Sequence, residues 1–348
     1  MKNNAVLGGV ALLMLVLSIF SYRQSVTRAE RFERGQKFLA QLNADEIDQI
    51  VVTKGEEVVT LKRGADSFTV AEFHNYPAKN DTVNRFIRDA LEISLEKKVG
   101  SGESIEKELE IAAGEGDATE YHFKNKEENT LVRFMVGKSS ENGRGNYIKN
   151  LEGEDDAVYL TSRGVFLTAK ADSFLKKELL SVASSDLALI KGGDYEIADA
   201  EGSLKLSGLP GGKQESSKVS ELKNILSALR YETVFLADES EVADLSFDTS
   251  VEFRLKDQSG YRAHLSKKGD KHYIKLEGFM EIDRISLSDD ETEEELKGKA
   301  DLLQRGEEIN KFNSFHGSWI YELTEITANK FRHQKKDLYE DEPKDEEG

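Results

Sequence analysis

The sequence NYPAKNDTVNRFIRDAL at residues 75–91 joins a proline-marked extended segment to the start of a helical pattern. Pro77 disfavours helix in the residue before it, and Asn80 or Asp81 can cap the free amides of a first helical turn. The apolar residues at the spacing of one helical face are Val83, Phe86, Ile87, Ala90 and Leu91. The stretch therefore predicts an amphipathic helix that directly follows a strand.

The second half of the chain repeats this arrangement in the sequence GLPGGKQESSKVSELKNILSAL at residues 208–229. Pro210 is one of only three prolines in the protein, and a second helical pattern follows it. The apolar face of that pattern consists of Val219, Leu222, Leu226 and Leu229. The recurrence predicts an internal repeat of a strand–helix–strand unit.

Short runs of β-branched and aromatic residues accompany both helical patterns. IDQIVVT, EVVTLKR and SFTV precede the first helix, and SVEFRLKD, YRAHLSKK and KHYIKLEG follow the second. Runs of this kind, separated by polar turns, predict antiparallel meanders. The closest match between the halves is NYIKNLEG at 146–153 with HYIKLEG at 272–278. We therefore predict an α+β fold of two similar modules, each of antiparallel strands with one packed helix.

The composition limits both the size of the fold and the class of partner. The 348 residues suffice for two domains of ordinary size. The net charge of −18 repels phosphate backbones, so a nucleic-acid partner is not expected. The absence of cysteine excludes disulfides, thiolate nucleophiles and cysteine-ligated metal sites.

A single apolar stretch near the N-terminus predicts a membrane anchor. The run AVLGGVALLMLVLSIFSY at residues 5–22 contains no charged side chain, and as a helix it would span about 27 Å, close to the hydrocarbon thickness of a bilayer. The anchor residues are Ala5, Leu7, Leu12, Leu13, Leu15, Leu17 and Phe20. The alternative is a cleaved signal peptide, but the sequence SIFSY lacks the small-x-small pattern of a cleavage site.

The orientation of this anchor is open on charge alone. Five basic residues follow it (Arg23, Arg28, Arg31, Arg34 and Lys37), whereas Lys2 alone precedes it. A positive-inside count would leave the bulk of the chain in the cytoplasm. These basic residues also belong to a segment with helical character. They can therefore be part of a stalk helix and need not determine the membrane orientation.

The pattern divides the chain into six parts. They are an anchor at 1–22, a stalk helix at 23–43, a first α+β module at 44–165, a connecting helix at 166–189, a second module with a C-terminal helix and strand at 190–325, and an acidic tail at 326–348.

Several of these segments together resemble the bacterial family called domain of unknown function 4340. The resemblance covers most of residues 40–325, and it rests on VVTLKRGADSFTV, YPAKNDTVNRFIRDAL, FMVGKSSENGRGNYIKN with AVYLTS, FLKKELLSV and SWIYEL. Phe68 stands where a tryptophan is common in that family. The resemblance implies a membrane-tethered, extracytoplasmic protein of the kind often linked with ABC-type transporters of gliding motility. It implies no catalytic residues.

The patterns that could carry chemistry are weak. FMVGKSS resembles a phosphate loop, but Val132 stands where that loop needs its first glycine, so Lys138 is not expected to bind a nucleotide. His264 and His272 could face each other across a hairpin as a metal pair, although strand histidines without a metal are far commoner. The acidic runs at 154–156 and 289–295 lack the ligand order of a calcium loop. We predict no catalytic, cofactor-binding or metal residue and no cofactor.

Three classes of function remain. The leading one is a non-enzymatic periplasmic accessory protein, anchored in the inner membrane with the bulk of the chain outside the cytoplasm, that binds a protein partner in a transport or envelope complex. The second is an envelope hydrolase that acts on glycan with two carboxylates, which requires two acids that converge in a cleft. The third is a membrane adaptor facing the cytoplasm, which rests on the positive-inside count.

Overall fold

A computed structural model describes residues 34–65, 67–112, 118–152, 155–165, 168–200, 203–209, 213–282 and 291–340, together with Met14 and Ser18. The chain divides into two compact units, Met1–Lys176 and Lys177–Gly348. The division falls inside the segment 166–189, which the sequence predicts as a connection. The fold is α+β, with five α-helices in the described residues and antiparallel sheets in both units.

The first unit contains a nine-stranded sheet with the order β4-β3-β2-β1-β6-β7-β8-β9-β5, in which every pairing is antiparallel. Its strands are β1 (Gln49–Lys54), β2 (Glu57–Arg63), β3 (Phe68–Val70), β4 (Tyr76–Pro77), β5 (Leu95–Gly100), β6 (Thr119–Lys124), β7 (Thr130–Ser139), β8 (Asn146–Asn150) and β9 (Val158–Thr161). Its helices are α1 (Asn80–Leu91) and α2 (Glu103–Glu108).

Helix α1 forms where the sequence of residues 75–91 predicts it. Its buried residues are Val83, Phe86, Ile87 and Ala90. The ring of Phe86 stacks on Tyr121 at 5.5 Å and on Phe123 at 5.8 Å between centroids, so the helix packs on β6 through aromatic contacts. The predicted cap is wrong: among the residues described, no side chain caps this helix. The amide oxygen of Asn80 accepts the backbone N–H of Phe68 at 2.9 Å instead, which ties α1 to β3.

The second unit contains an eight-stranded sheet with the order β13-β12-β11-β17-β18-β19-β20-β16, again antiparallel throughout. Its strands are β11 (Leu187–Lys191), β12 (Glu196–Ala200), β13 (Ser203–Leu206), β16 (Thr233–Leu236), β17 (Thr249–Leu255), β18 (Ser259–Lys268), β19 (Lys271–Met280) and β20 (Trp319–Leu323). Two small antiparallel pairs join β10 (Glu178–Leu180) to β15 (Leu229–Arg230) and β14 (Lys213–Gln214) to β21 (Tyr339–Glu340). The helices are α3 (Ser216–Asn224), α4 (Glu293–His316) and α5 (Glu325–Phe331).

Helix α3 is shorter than the sequence predicts. Val219 and Leu222 are buried on it as expected, but the helix ends at Asn224. Leu226 and Leu229 are also buried, and Leu229 lies in β15. The apolar spacing is therefore correct for burial, although the last two residues reach the core from a turn and a strand.

The two sheets share one order of connections. Each begins with a meander at one edge, of four strands in the first unit and three in the second, continues through a helix to a strand at the opposite edge, and returns with a four-stranded meander between them. Strand β8, which carries NYIKN, is the third strand of that meander in the first unit. Strand β19, which carries HYIKLEG, is the third strand in the second unit. The closest sequence match thus falls on strands with the same place in the order.

The described end of the predicted stalk is not helical. Gly35 donates its N–H to the carbonyl of Leu95, and Phe38 donates to Ile93, both at 2.8 Å. The Phe38 ring meets Phe134 edge-on at 5.4 Å, and Leu39 is buried. Apolar burial against the first unit outweighs local helix preference in this segment. Residues 23–33 lie outside the described part of the chain.

The predicted connecting helix at 166–189 is also wrong for the residues described. This segment forms two 3-10 turns, Ala171–Phe174 and Ser184–Asp186, with strand β10 between them. Phe174 and Leu175 are buried, and Leu175 forms a β-bridge with Ala78. The bridge to Ala78 and the pairing of β10 with β15 hold parts of this segment in an extended form, which a continuous helix would not allow.

The predicted acidic tail at 326–348 does not begin where the sequence indicates. Helix α5 and strand β21 extend order to Glu340, and Phe331 and Leu338 are buried. Burial of these two apolar side chains outweighs the acidic composition of the segment. Residues 341–348 are not among those described.

The membrane-anchor prediction lies outside the described residues. This holds for Ala5, Leu7, Leu12, Leu13, Leu15, Leu17 and Phe20. Among the residues that are described, no helix has the length and apolar character needed to cross a bilayer.

Candidate functional site

The position of Arg332 is set by helix α5, which ends one residue before it. The hydroxyl of Thr324 caps this helix by accepting the N–H of Thr327. Ala328 and Phe331 are buried, and the Phe331 ring meets Phe253 of β17 at a right angle, 6.2 Å between centroids. Arg332 therefore leaves the helix at a fixed point beside the sheet.

The guanidinium of Arg332 has neutral hydrogen-bond acceptors. Its Nη1 lies 2.6 Å from Nδ1 of His272, and its Nη2 donates to the carbonyl of Ser266 at 3.2 Å. Among the residues that the structure describes, no carboxylate forms an ion pair with it. Burial lowers the pKa of Arg332. A partly buried guanidinium without a carboxylate is uncommon, since ionised groups inside proteins are normally paired.

His272 is held in its neutral form. An arginine only donates hydrogen bonds, so Nδ1 of His272 acts as acceptor and its ring proton resides on Nε2. Burial lowers the pKa of His272, and the positive charges of Arg332 and Lys267 lower it further, against weaker opposition from Glu325 and Asp270. The two residues thus form a hydrogen-bonded pair with one positive charge.

Arg332 lines two cavities of the second unit, one of about 620 Å³ and one of about 470 Å³. Asp248 and Thr249 also line both, and we refer to the two cavities together as the Arg332 cleft. Each volume falls within the range of small-molecule sites. Asp248 accepts a hydrogen bond from the hydroxyl of Ser246 at 3.1 Å and, within the described ranges, forms no ion pair.

Tyr195 lines the smaller cavity and keeps a polar group without a partner. The residue is 5% exposed, and its hydroxyl is buried with no hydrogen-bond partner in the described part of the chain. Burial and the charge of Asp194 raise the pKa of this hydroxyl. A side chain at Gly192 would overlap the Tyr195 ring, so only glycine fits there. An unmatched buried hydroxyl costs stability, about 1–3 kcal/mol.

The metal alternative for His264 and His272 is not formed. The two strands that carry them do pair, but His264 stands opposite Lys275 and His272 opposite Lys267. His264 lies 3.6 Å from a carboxylate oxygen of Glu277 and does not meet His272. Within the described residues, no group of three or more histidine, aspartate and glutamate side chains is placed to hold a metal ion.

Lys138 of FMVGKSS lies near the end of strand β7. A phosphate loop needs a glycine-rich turn followed by a helix, and this residue is followed by the turn that leads to β8. The structural context agrees with the interpretation that the resemblance to a phosphate loop is superficial.

Four carboxylates line a cavity of about 580 Å³ beside α4. They are Asp257, Glu295, Asp301 and Glu308. Asp257 and Glu308 both pair with Arg305, at 3.0 and 2.9 Å. Hydrogen bonds from Thr292 lower the pKa of Glu295, and hydrogen bonds from Arg305 and Gln304 lower that of Glu308. A general acid needs a raised pKa, so these shifts oppose acid catalysis.

Sequence reasoning missed the Arg332 cleft altogether. Arg332 falls within the predicted tail, and its partners lie 60 or more residues away in the chain. One local signal was present: Thr324 before EITANKF has the pattern of an N-cap followed by a short helix.

A family model described as Domain of unknown function (DUF4340) matches residues 69–249, just over half of the chain. The match runs from β3 to the first residue of β17, so it includes Tyr195, Asp248 and Thr249 but not Arg332. No curated protein and no solved structure gives a significant match.

Proposed function

The chain belongs to the family Domain of unknown function (DUF4340), and from that premise we propose that it is a non-enzymatic binding protein of a bacterial membrane complex. The apolar stretch at 5–22 anchors it in the inner membrane, and the bulk of the chain lies outside the cytoplasm. Its task is to bind a partner as an accessory component of an ABC-type transport or envelope complex.

One observation supports binding more than any other. Arg332 is partly buried at the wall of two cavities, and within the described part of the chain its hydrogen bonds go to a neutral imidazole and a carbonyl, not to a carboxylate. A charge placed in this way costs desolvation free energy without a compensating ion pair in the described residues. Binding of an anionic group would supply the missing partner.

The extracytoplasmic orientation is supported by the resemblance and opposed by the positive-inside count. Arg34, one of the basic residues in that count, forms a 2.8 Å ion pair with Glu96 of the first unit. One of the five charges in the count thus has a partner in the first unit, which weakens the count as an argument about topology.

We also propose that the two units arose by internal duplication. The common order of connections and the position of NYIKN and HYIKLEG on equivalent strands support this origin. Duplicated units commonly diverge in their sites, and the Arg332 cleft is a feature of the second unit.

The alternative of a glycan hydrolase has a weaker basis. Of the carboxylates that line the cavity beside α4, Asp257 and Glu308 pair with Arg305 and Glu295 belongs to a helix cap, and the pKa values of Glu295 and Glu308 are lowered. A hydrolase acid would need the opposite shift.

The proposal can be tested with the full-length chain in its native host. Tagged parent, Arg332→Gln and Arg254→Gln proteins would be extracted in mild detergent, and the co-purified transport components would be quantified. Arg254 is the matched control, because it is paired with Glu252 and Glu281 away from the cleft. We expect the transport components to be retained by the parent and the control and reduced with Arg332→Gln. Equal recovery from all three proteins, or none from the parent, would contradict the proposal.

A further inference from the structure

Arg332 and Asp248 line the same cleft without neutralising each other. In the described residues neither forms an ion pair within 4.0 Å, either with the other or with a third group. Asp194, Asp244, Lys267 and Lys268 also line the cleft, so groups of both signs lie along one concave surface. Electrostatic complementarity favours a ligand with both charges at a matching separation.

The guanidinium retains donors for such a ligand. Arginine carries five N–H groups, of which one points to His272 and one to the Ser266 carbonyl. The three that remain suffice for a bidentate bond to a carboxylate, which is the strongest common mode of arginine recognition.

Asp248 retains acceptors for the opposite charge. Its carboxylate receives the hydroxyl of Ser246, and the side chain is exposed to solvent in the cleft. An ionised carboxylate has about four lone-pair positions, so further donors can bind there. An ammonium group supplies three N–H donors and the opposite charge.

The charge of the whole chain disfavours a phosphate. In the lining of the cleft, Asp194, Asp244 and Asp248 are negative and Lys267, Lys268 and Arg332 are positive, so a dianion finds no excess of positive charge there. The net charge of −18 repels a dianion more strongly than a monoanion. A zwitterion has no net charge and meets no such long-range penalty.

We infer that the Arg332 cleft binds a zwitterionic ligand of the amino-acid or short-peptide class, with its carboxylate on Arg332 and its ammonium group on Asp248. This inference rests on the proposed binding function. The buried hydroxyl of Tyr195 in the same lining has no hydrogen-bond partner among the described residues, which agrees with a surface built for binding instead of maximal stability.

The ligand probes are glycine, diglycine, triglycine and tetraglycine, titrated by calorimetry into the full-length chain in detergent. They differ only in the distance between the two charged ends, which grows by up to about 3.5 Å per residue. The free amino acid and the peptide are thereby distinguished by which length binds best. N-acetyl and C-amide forms of the best probe remove the ammonium or the carboxylate in turn.

We expect one probe to bind and both blocked forms to bind at least about tenfold more weakly. Arg332→Gln should lower the affinity for the unblocked probe by a similar factor. It should leave the affinity for the C-amide form unchanged, because that form lacks the carboxylate that Arg332 contacts. Asp248→Asn should lower the affinity for the unblocked probe and leave the affinity for the N-acetyl form unchanged, because that form lacks the ammonium group that Asp248 contacts. Asp248 is exposed, so Asp248→Asn should not disturb folding, and its binding data test the inference even if Arg332→Gln does disturb it.

The inference is overturned if no glycine probe binds at about 10 mM, or if the blocked forms bind as well as the free one. Binding that survives both substitutions would overturn it as well. If the probes fail while Arg332→Gln still reduces co-purification, the binding function stands and only the ligand class is wrong.

Discussion

Nη1 of Arg332 lies 2.6 Å from Nδ1 of His272, so the buried imidazole must stay neutral for the bond to exist. Protonation of His272 would place two donors and two positive charges against each other. Lys267 adds to the repulsion, whereas Glu325 and Asp270 reduce it.

This pair predicts a loss of stability on acidification. The pKa of His272 is lowered in the folded protein, while in the unfolded chain it is about 6.5. The neutral imidazole therefore contributes stability that is fully present above about pH 6.5 and is lost as the pH falls through the folded value. Urea unfolding from pH 8 to pH 5 should show this decline in the parent.

His272→Asn is the informative variant for that experiment, because an amide oxygen can accept from Arg332 but does not titrate. Its pH dependence should be shallower than that of the parent. The matched variant His264→Asn, beside Glu277 on the neighbouring strand, should leave the decline in place. A parent and a His272→Asn protein with parallel pH profiles would show that the pair is not responsible.

Phe86→Asp and Leu222→Asp should each destabilise their own unit by several kcal/mol. Phe86 stacks in an aromatic cluster and Leu222 is fully buried. Each change removes about 1.5–3 kcal/mol of apolar burial and introduces a buried charge. Hydrogen exchange of β6 and β19 would report the loss separately for the two units.

Arg85→Ala and Lys223→Ala are the controls on the same two helices. Arg85 is exposed and Lys223 is half-buried, and neither makes a side-chain hydrogen bond in the described residues. Both should change the free energy of unfolding by less than about 0.5 kcal/mol. Small and equal effects of all four substitutions would exclude these helices as core elements.

Tyr195→Phe should stabilise the protein without a ligand. The change removes a buried hydroxyl that has no partner in the described residues, and the gain is at most about 1–3 kcal/mol. Tyr321→Phe is the opposite case in the same unit, because the Tyr321 hydroxyl lies 2.6 Å from Nδ1 of His316. It should lower the free energy of unfolding. Effects of the same sign, measured by urea titration, would refute the assignment.

Gly192→Ala and Gly193→Ala should differ although the two residues are adjacent. A methyl group at Gly192 would overlap the Tyr195 ring, whereas at Gly193 it meets no atom of the described residues within 4 Å. Gly192→Ala should therefore cost about 1–3 kcal/mol by overpacking, and Gly193→Ala should be close to neutral. Thermal unfolding of both variants checks this, and equal midpoints would show that the ring is not confined there.

Replacement of residues 5–22 by an unrelated single-pass helix should preserve co-purification with transport components. An exported form that begins at residue 25 should lose it, because tethering raises the effective concentration of a membrane partner to about the millimolar range. A soluble form that sustains the wild-type phenotype would remove the need for a tether.

Local features were predictable from the sequence because they depend on near neighbours. The spacing of Val83, Phe86 and Ile87 predicted the buried face of α1, and the repeated pattern at Val219 and Leu222 predicted that of α3. Periodicity survives in the fold because residues three or four apart share a helix face wherever that helix packs.

Features set by distant contacts were not predictable. Asn80 was expected to cap its own helix, but it binds the N–H of Phe68, twelve residues away. The same limit applies to the cleft, where β18, β19 and α5 bring Ser266, His272 and Arg332 together. The spacing of residues in a single sequence does not predict contacts between side chains that are far apart in the chain.

The pairing of residues 35–38 with residues 93–95 also has a mechanical consequence. Three backbone hydrogen bonds of 2.8 Å join Gly35 to Leu95, Leu95 to Gln36 and Phe38 to Ile93. A force applied to Arg34 along this segment would load all three in shear, whereas a force across it would peel them one at a time. Because β5 is the last strand of its sheet, tension from the N-terminal side would first reach the edge of the sheet. The buried side chain of Leu39 would then resist being pulled out of the core.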